Sequence, residues 1–414
     1  MHIPTFTRPA LFAGLLCALG STAAAETHEN AALDYTVTVE SAHKELSDKF
    51  FWFHPYLAAI PGLGQDGYPA VFLLTQKHLH VDDHYSNTHV LRTNDLGKTW
   101  SKPAAVPQLK WLSEDGYDRA ISGVVPNWHA GTGTLLATGA SALHDRPNGF
   151  VDRAGATWIY YTSYDPKADR WREWQAFGTP GAGYHATAAS SSQWLTQSDG
   201  TILLPVHLQK EKGVPWAVTV YQCRFDGQRL DNVKTGNLLV RDQSRGIHEP
   251  SLTRYAGRYW LTIRSDDSAF VTTSEDGLSY EPLTEWKFDD GAVLGSYNTQ
   301  QHWVTHSGGL FLVYTRRGAA NDHIFRHRAP LFMARVDPDR KVVVRSTERV
   351  LLADRGVPMG NFGANNITPD ETWVSVGENM WPYQGKPPTD RGAEGAILIA
   401  RIRWNSPNVV SLAD

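Results

Sequence analysis

Short apolar, β-rich runs recur along this chain between turn residues, the pattern of successive β-strands. A turn carrying Gly, Asp or Pro introduces each apolar run. Such runs begin at Gly67-Tyr68-Pro69-Ala70-Val71-Phe72-Leu73-Leu74, Gly133-Thr134-Leu135-Leu136 and Asp199-Gly200-Thr201-Ile202-Leu203-Leu204. They return at Gly257-Arg258-Tyr259-Trp260-Leu261, Gly308-Gly309-Leu310-Phe311-Leu312 and Pro369-Asp370-Glu371-Thr372-Trp373-Val374. The spacing, roughly 50 to 70 residues, is that of a repeated β unit, and each copy is flanked by further apolar runs such as Thr88-His89-Val90-Leu91-Arg92. Helical periodicity is nearly absent. The pattern predicts an all-β chain forming a single β-propeller of six blades, with seven as the alternative. Tyr35 to Val39 and the run Ala396 to Trp404 are expected to pair and close the ring, which removes the exposed sheet edges.

Composition then narrows the setting. Arg8, an apolar stretch from Ala10 to Leu19 and Ser21-Thr22-Ala23-Ala24-Ala25 follow the order of a signal peptide, so we expect cleavage after Ala25, a mature chain of residues 26–414 and a secreted or periplasmic location. Cys223 is then the one cysteine left, and stability must come from burial rather than a disulfide. A formal net charge of −4 without a Lys/Arg block argues against nucleic acid or an anionic membrane as partner. The 15 Trp and 16 Tyr suit both strand packing and stacking on sugars.

Thr93-Asn94-Asp95-Leu96-Gly97-Lys98-Thr99-Trp100 matches the Asp-box, Ser/Thr-x-Asp-x-Gly-x-Thr-Trp, and the chain therefore resembles the sialidase-like superfamily of propellers. Ser274-Glu275-Asp276-Gly277-Leu278-Ser279-Tyr280 is a shortened copy, and Ser163-Tyr164-Asp165 with Trp171 a degenerate one. This motif caps a hairpin and carries no chemistry of its own.

In a propeller, the start of each inner strand and the end of each second strand surround one central pocket. The starts are Phe53-His54-Pro55, Asp118-Arg119-Ala120, Tyr184-His185-Ala186, His248-Glu249-Pro250, Tyr297-Asn298-Thr299 and Asn361-Phe362-Gly363. The ends carry His78, His144, His207, Arg264, Arg316 with Arg317, and Glu378. Arginines at such points suit bidentate recognition of a carboxylate, and histidines suit proton transfer near neutrality. The partner expected is an acidic oligo- or polysaccharide. Arg326 and Arg328, in the loop Asn321 to Pro330, are candidate substrate contacts or members of a structural ion-pair network. The run His78-Leu79-His80-Val81-Asp82-Asp83-His84 has the composition of a divalent-metal site without a standard zinc spacing, so no cofactor is required by the reading and no metal ligand is assigned.

The resemblance to bacterial sialidases places Phe53-His54-Pro55-Tyr56-Leu57 at their Tyr/Phe-Arg-Ile-Pro motif. It places Glu249 and Arg264 at their Glu and second carboxylate-binding Arg, and Asp82 or Asp83 near their acid/base Asp. His54 stands where the first Arg is expected and Phe362 where the nucleophilic Tyr is expected, which removes the attacking phenol. The propeller lyases that cleave ulvan or rhamnose–glucuronate linkages are similar in using His, Tyr and Arg. That resemblance implies β-elimination with Arg264 or Arg119 as carboxylate neutraliser, His54 or His185 as base and Tyr297 or His78 as proton donor. Glu249 orients these groups or acts as a base, and Arg119, His144, His207, His248, Arg316, Arg317, Arg328 and Glu378 are expected to contact the substrate. A glycoside hydrolase using Glu249 with Asp82 or Asp83, and a non-catalytic glycan-binding propeller, are the alternatives.

Overall fold

A computed structural model describes residues 33–80, 83–145, 149–381 and 389–409. The expected signal segment therefore lies outside the described residues, as do Val81 and Asp82 of the histidine-rich run. The strands form six antiparallel sheets arranged as blades. Blade one comprises Phe51–Ile60, Ala70–His78, His89–Thr93 and Ala104–Ala105. Blade two is built on Tyr117–His129, Thr134–Asp145 and Ile159–Asp165. In blade three the inner strand is interrupted, so Ala186–Ala188 and Leu195–Thr196 both pair with Ile202–Gln209, followed by Ala217–Phe225 and Leu230–Thr235. Blade four comprises His248–Tyr255, Arg258–Arg264, Ala269–Ser274 and Thr284–Glu285. Blade five comprises His302–His306, Gly309–Tyr314 and Leu331–Asp337 with two short outer strands.

Blade six is assembled from both ends of the chain. Phe362–Thr368, Glu371–Gly377 and Ala396–Trp404 are joined on the outside by Tyr35–Lys44, with Tyr35 opposite Trp404 and Val39 opposite Ala400. This tie closes the ring at the sixth sheet. Apolar side chains pack between neighbouring blades, with Trp260, Trp286 and Trp303 in one cluster and Trp52 and Trp373 in another. Among the described residues helical structure is confined to three-residue 3-10 turns, and no helix is long and apolar enough to cross a membrane. Cys223 is buried and unpaired.

The Asp95 turn explains its own sequence. Asp95 accepts hydrogen bonds from the Thr99 backbone N–H at 3.0 Å and from the Thr93 hydroxyl at 2.8 Å, while Gly97 takes φ +79° beneath Trp373. Asp276 does the same for Leu278 N–H and Ser279 N–H at 2.8 and 2.6 Å. Both turns lie on the periphery of their blades, away from the axis.

Two irregularities prepare the centre. The pairing of the inner and second strands shifts register between Phe53 and Tyr56 in blade one and between His248 and Ser251 in blade four. Each shift contains a non-glycine residue at positive φ followed by proline: His54 at +53° with Pro55, and Glu249 at +43° with Pro250. Such a bulge reverses the strict alternation of side chains and re-aims one of them, and bulges concentrate next to functional sites for that reason.

Candidate functional site

The two bulges sit in opposite blades of a six-membered ring, so His54 and Glu249 approach the axis from opposite sides. Glu249 pairs with Arg264 of the neighbouring second strand, and the Arg264 guanidinium also donates to Asn298 Oδ1 at 2.7 Å. The pair is not sealed: the Arg264 and Glu249 side chains keep 12% and 18% exposure, enough for a ligand to reach them. Burial pushes the Glu249 carboxyl upwards, but Arg264 more than reverses this and holds it at about 2. Glu249 is an ionised carboxylate throughout the ordinary pH range.

Arg328 enters from the loop between the second and third strands of blade five. It donates to the Asn298 carbonyl at 2.5 Å and to Asn361 Oδ1 at 3.2 Å, while its buried Nε has no partner among the described residues. Burial, with Arg264 and Arg326 close by, pulls its pKa down to about 9, still protonated at neutral pH. Arg245 and Asp266 complete the charge cluster with two bonds of 2.8 Å. Four guanidinium groups, Arg245, Arg264, Arg326 and Arg328, thus lie among three carboxylates, Glu249, Asp266 and Asp83. The excess positive charge suits an anion.

Asn361 fixes the tautomer of His54. Since Arg328 donates to its Oδ1, the Nδ2 amide group faces His54 Nε2 at 3.2 Å and donates to it. Nε2 is then the acceptor, and the proton of the neutral ring sits on Nδ1, which is buried without a partner. Burial, together with Arg328, keeps this imidazole neutral with a pKa of about 3. The Arg328–Asn361–His54 chain therefore leaves a buried N–H donor without a partner among the described residues at each end.

Around this centre lie Tyr85, Tyr56 and His302, which the sequence pattern did not assign to the site, and His207 and His248, which it did. Tyr85 is buried with its ring 5.2 Å from His54, and its hydroxyl donates to Asp83 at 2.9 Å. Burial and then Asp83 push the phenol well above its ordinary range, so it keeps its proton. Tyr56 donates to Gln300 Oε1 at 3.0 Å, and His302, held by Ser251 at 2.8 Å, is kept neutral at about 4 by burial. His207 and His248 lie with ring centroids 6.0 Å apart, both close to Trp216 and both in the electrostatic reach of Glu249. Burial holds them neutral, His207 at about 4 and His248 at about 3.

The remaining sequence candidates are placed otherwise. Arg119 is buried and spent: Glu114 takes its Nε and one terminal nitrogen at 3.0 and 2.9 Å, and Ser141, Gly155 and Ala156 oxygens take the other. Arg316 forms a two-point pair with Glu348 at 2.8 and 2.6 Å. Glu378 is fully buried, accepting the backbone N–H groups of Glu394 and Ala396 and pairing with Arg355. His78 stacks on Phe51 at 4.7 Å, behind Phe53 and Tyr85, because its register partner is Phe51. His185 bonds Asp152 at 2.7 Å in the rim of blades two and three, and His144 stacks on His84 at 4.5 Å. Tyr297 bonds His327 at 2.7 Å beneath Arg317, whose guanidinium lies 3.9 Å from the Tyr297 ring centre, at the rim beside Arg326. The structure thus joins His54, His207, His248, Glu249, Arg264 and Arg328 around one centre, with Tyr297 and Arg317 at its edge. Among the described residues no three His, Cys, Asp or Glu side chains converge to hold a metal.

An open axial cavity lies further along the inner strands, lined by Leu57, Asn127, Trp194, Thr253, Trp303 and Asn366 among others. It reaches Tyr56 and His302 but none of the charged residues above. Gln193 bridges this channel, bonding the carbonyls of Trp303 and Ala364. We place the chemistry at the charged end, where ionisable groups converge.

No protein-family model matches the sequence, and no curated protein matches it. Solved structures do match in shape. A Hadza microbial sialidase superposes with a TM-score of 0.58 at 12% identity, over 85% of this chain and 66% of that one. The NanB sialidase of Streptococcus pneumoniae gives 0.57 at 10% identity, over 89% and 70%. The chain has the sialidase-like propeller fold. An α-L-arabinofuranosidase of Fusarium graminearum, at 0.54 and 11% identity, covers 89% of this chain and 97% of its own. The sialidase-like propeller here therefore spans about two thirds of the length of the sialidases and nearly all of the arabinofuranosidase. Identities this low speak for the fold, and chemistry has to be argued from the site.

Proposed function

We propose that this protein is a carbohydrate-active enzyme that cleaves an acidic glycan by β-elimination next to a uronic acid. The observation that carries the reading is the Arg328–Asn361–His54 chain, which leaves Arg328 Nε and His54 Nδ1 as unpartnered buried donors beside an excess of guanidinium charge. Such unpaired donors match a carboxylate, and most of all the dianionic form that a uronate acquires when its C5 proton leaves.

The step balances with the groups at hand. His207 takes the C5 proton, and Glu249 stabilises the resulting imidazolium. The C5–H electron pair becomes the C4=C5 double bond, and the C4–O pair departs with the glycosidic oxygen. Tyr85 turns its O–H from Asp83 to protonate that oxygen and regains a proton from solvent, while the His207 imidazolium releases its proton to solvent. His54 serves in this scheme as a donor to the carboxylate, because Asn361 occupies its lone pair. A uronate carboxylate also offsets the Arg264 field that lowers the His207 pKa, so binding itself makes His207 a better base.

Hydrolysis is the second reading, favoured by the Tyr85–Asp83 hydrogen bond, which places a phenol and a carboxyl group together within reach of Glu249. Glu249 cannot be its acid, being ionised down to about pH 2. Incubation with uronate-containing polysaccharides separates the readings. Elimination releases a product with the ultraviolet absorbance of a 4,5-unsaturated uronate. New reducing ends without that absorbance would establish hydrolysis, and binding with neither product would establish a glycan-binding propeller.

A further inference from the structure

Beside the charged centre the pocket changes character. His207, near the end of the second strand of blade three, and His248, opening the inner strand of blade four, meet with their rings nearly perpendicular at 78°. Trp216 flanks both, 5.1 Å from His207 and 5.7 Å from His248. The two imidazoles are buried, whereas Trp216 keeps part of its surface exposed. His207 Nδ1 and His248 Nε2 have no hydrogen-bond partner among the described residues. A buried nitrogen left unpaired is costly, so two beside one partly exposed indole form a place that a ligand completes.

We propose that Trp216 and His248, with His207 shared between them and the charged centre, form a subsite for a neutral sugar residue adjoining the acidic one. The inference rests on reading this pocket as a glycan site, and it names the neighbour of the uronate. A neutral imidazole offers one N–H and one lone pair, which matches a hydroxyl that both donates and accepts; a carboxylate would satisfy only the donor. The indole gives the flat apolar face against which the C–H side of a pyranose packs. Charge discriminates the two halves, with guanidinium groups at Arg264 and Arg328 on one side and uncharged rings on the other.

Trp216 is held for this purpose by its backbone. Its N–H donates to the Arg245 carbonyl at 2.9 Å, and its carbonyl accepts from Ile247 N–H at 3.0 Å. Gly246 lies so close that a Cβ there would stand 2.1 Å from the Trp216 oxygen, at φ +86°. The loop bearing Arg245 and the loop bearing Trp216 are therefore pinned together, which fixes the backbone from which the indole projects.

The test is saturation-transfer NMR on the whole protein with methyl glycosides of neutral hexoses and 6-deoxyhexoses, alongside free glucuronate and galacturonate. At least one neutral glycoside is expected to bind the wild type, about tenfold more weakly in Trp216→Ala, and near wild-type strength in Trp216→Phe, which keeps a stacking face. Uronate binding is expected to survive Trp216→Ala and to be lost in Arg328→Ala. Absence of neutral binding in the wild type, or equal neutral binding in Trp216→Ala, overturns the subsite. So does loss of uronate and neutral binding together in a Trp216→Ala protein that melts like the wild type, since Trp216 would then belong to the charged centre. Trp216-dependent neutral binding with no uronate binding to the wild type would leave the subsite standing and refute the uronate reading instead.

Discussion

Removing the Arg264 guanidinium tests whether Glu249 is held as a charge at the bottom of the pocket. In the folded protein Glu249 sits at about 2, against an ordinary value of 4.5, with Arg264 overcoming the burial that would otherwise raise it. That gap corresponds to about 3 kcal/mol of stability at neutral pH, order of magnitude, given that both side chains are less than a fifth exposed. Because the folded value lies below the unfolded one, this contribution is fully present above the ordinary carboxyl range and disappears as pH falls through about 2. Arg264→Ala weakens that hold. Burial remains while the largest compensating charge is gone, so the Glu249 carboxyl rises and its ionised form is less well supported at neutral pH. Breaking a buried pair from one side costs roughly 3–5 kcal/mol. Urea unfolding followed by tryptophan fluorescence should show a deficit of that size at about pH 7 which narrows towards about pH 4, as Glu249 becomes able to protonate in the variant. Arg264→Ala combined with Glu249→Gln should recover much of the loss and flatten the pH dependence. A deficit under about 1 kcal/mol, or one that is the same at both pH values, would refute the claim that the pair governs the charge state of the site.

Other expectations follow from named contacts. If His54 acts as a donor and His207 as the base, His54→Gln should retain measurable turnover while His207→Gln falls by about 10²–10⁴-fold; the reverse ranking in initial rates would exchange their roles. His54, His207, His248 and His302 are neutral when folded, their pKa values depressed to about 3, 4, 3 and 4. The unfolded chain therefore binds more protons below the ordinary imidazole range, and the urea midpoint should decline as pH drops from about 6.5, with His302→Gln reducing the slope. Arg119→Ala should destabilise the protein by roughly 3 kcal/mol in thermal or urea unfolding while leaving KM unchanged in the folded fraction, since five oxygen contacts occupy its guanidinium.

Much of the fold is written in the sequence because each blade is a local object. A turn, an apolar run and its flanking strands lie within one stretch of chain, so the apolar runs and their Gly/Asp/Pro punctuation suffice to delimit them. Even the closure of the ring is legible, since Tyr35–Lys44 covers the edge that Ala396–Trp404 leaves open beyond its pairing with Glu371–Gly377. Less legible were the short pieces that decorate blades two and three, such as Leu112–Glu114 folding back on Tyr117–Arg119. The broken inner strand of blade three reads in sequence as one continuous start at Tyr184-His185-Ala186. Instead, Ser191 takes φ +56° within the gap, and its backbone N–H bonds Gly123 of blade two.

The site divides along the same line between local and distant causes. Positional mapping of strand starts and ends brought His54, His207, His248, Glu249 and Arg264 to one centre, since the repeat fixes which end of each strand faces the axis. It treated Arg119, Arg316 and Glu378 as equivalent, although Glu114, Glu348 and the backbone of residues 394 and 396 saturate them. Those partners sit on hairpins and outer strands whose approach no periodicity reveals. Parity matters as much as position. In an undistorted strand a one-residue offset reverses the face, which is why His78, in register with Phe51, stacks on it away from the axis. The bulge at His54 suspends that rule, and the sequence marks it only by the proline that follows, a mark shared by Glu249-Pro250 in the opposite blade. Residues before proline are driven away from ordinary helical dihedrals, and two such pairs at matching points of a β repeat are a readable sign of register failure. Tyr85 and Asn361 carry no such sign. Tyr85 reaches the centre from a loop whose path depends on Asp83, and Asn361 matters because it passes the orientation of Arg328 to the His54 ring, a relation that exists only once three blades have been brought to the same axis.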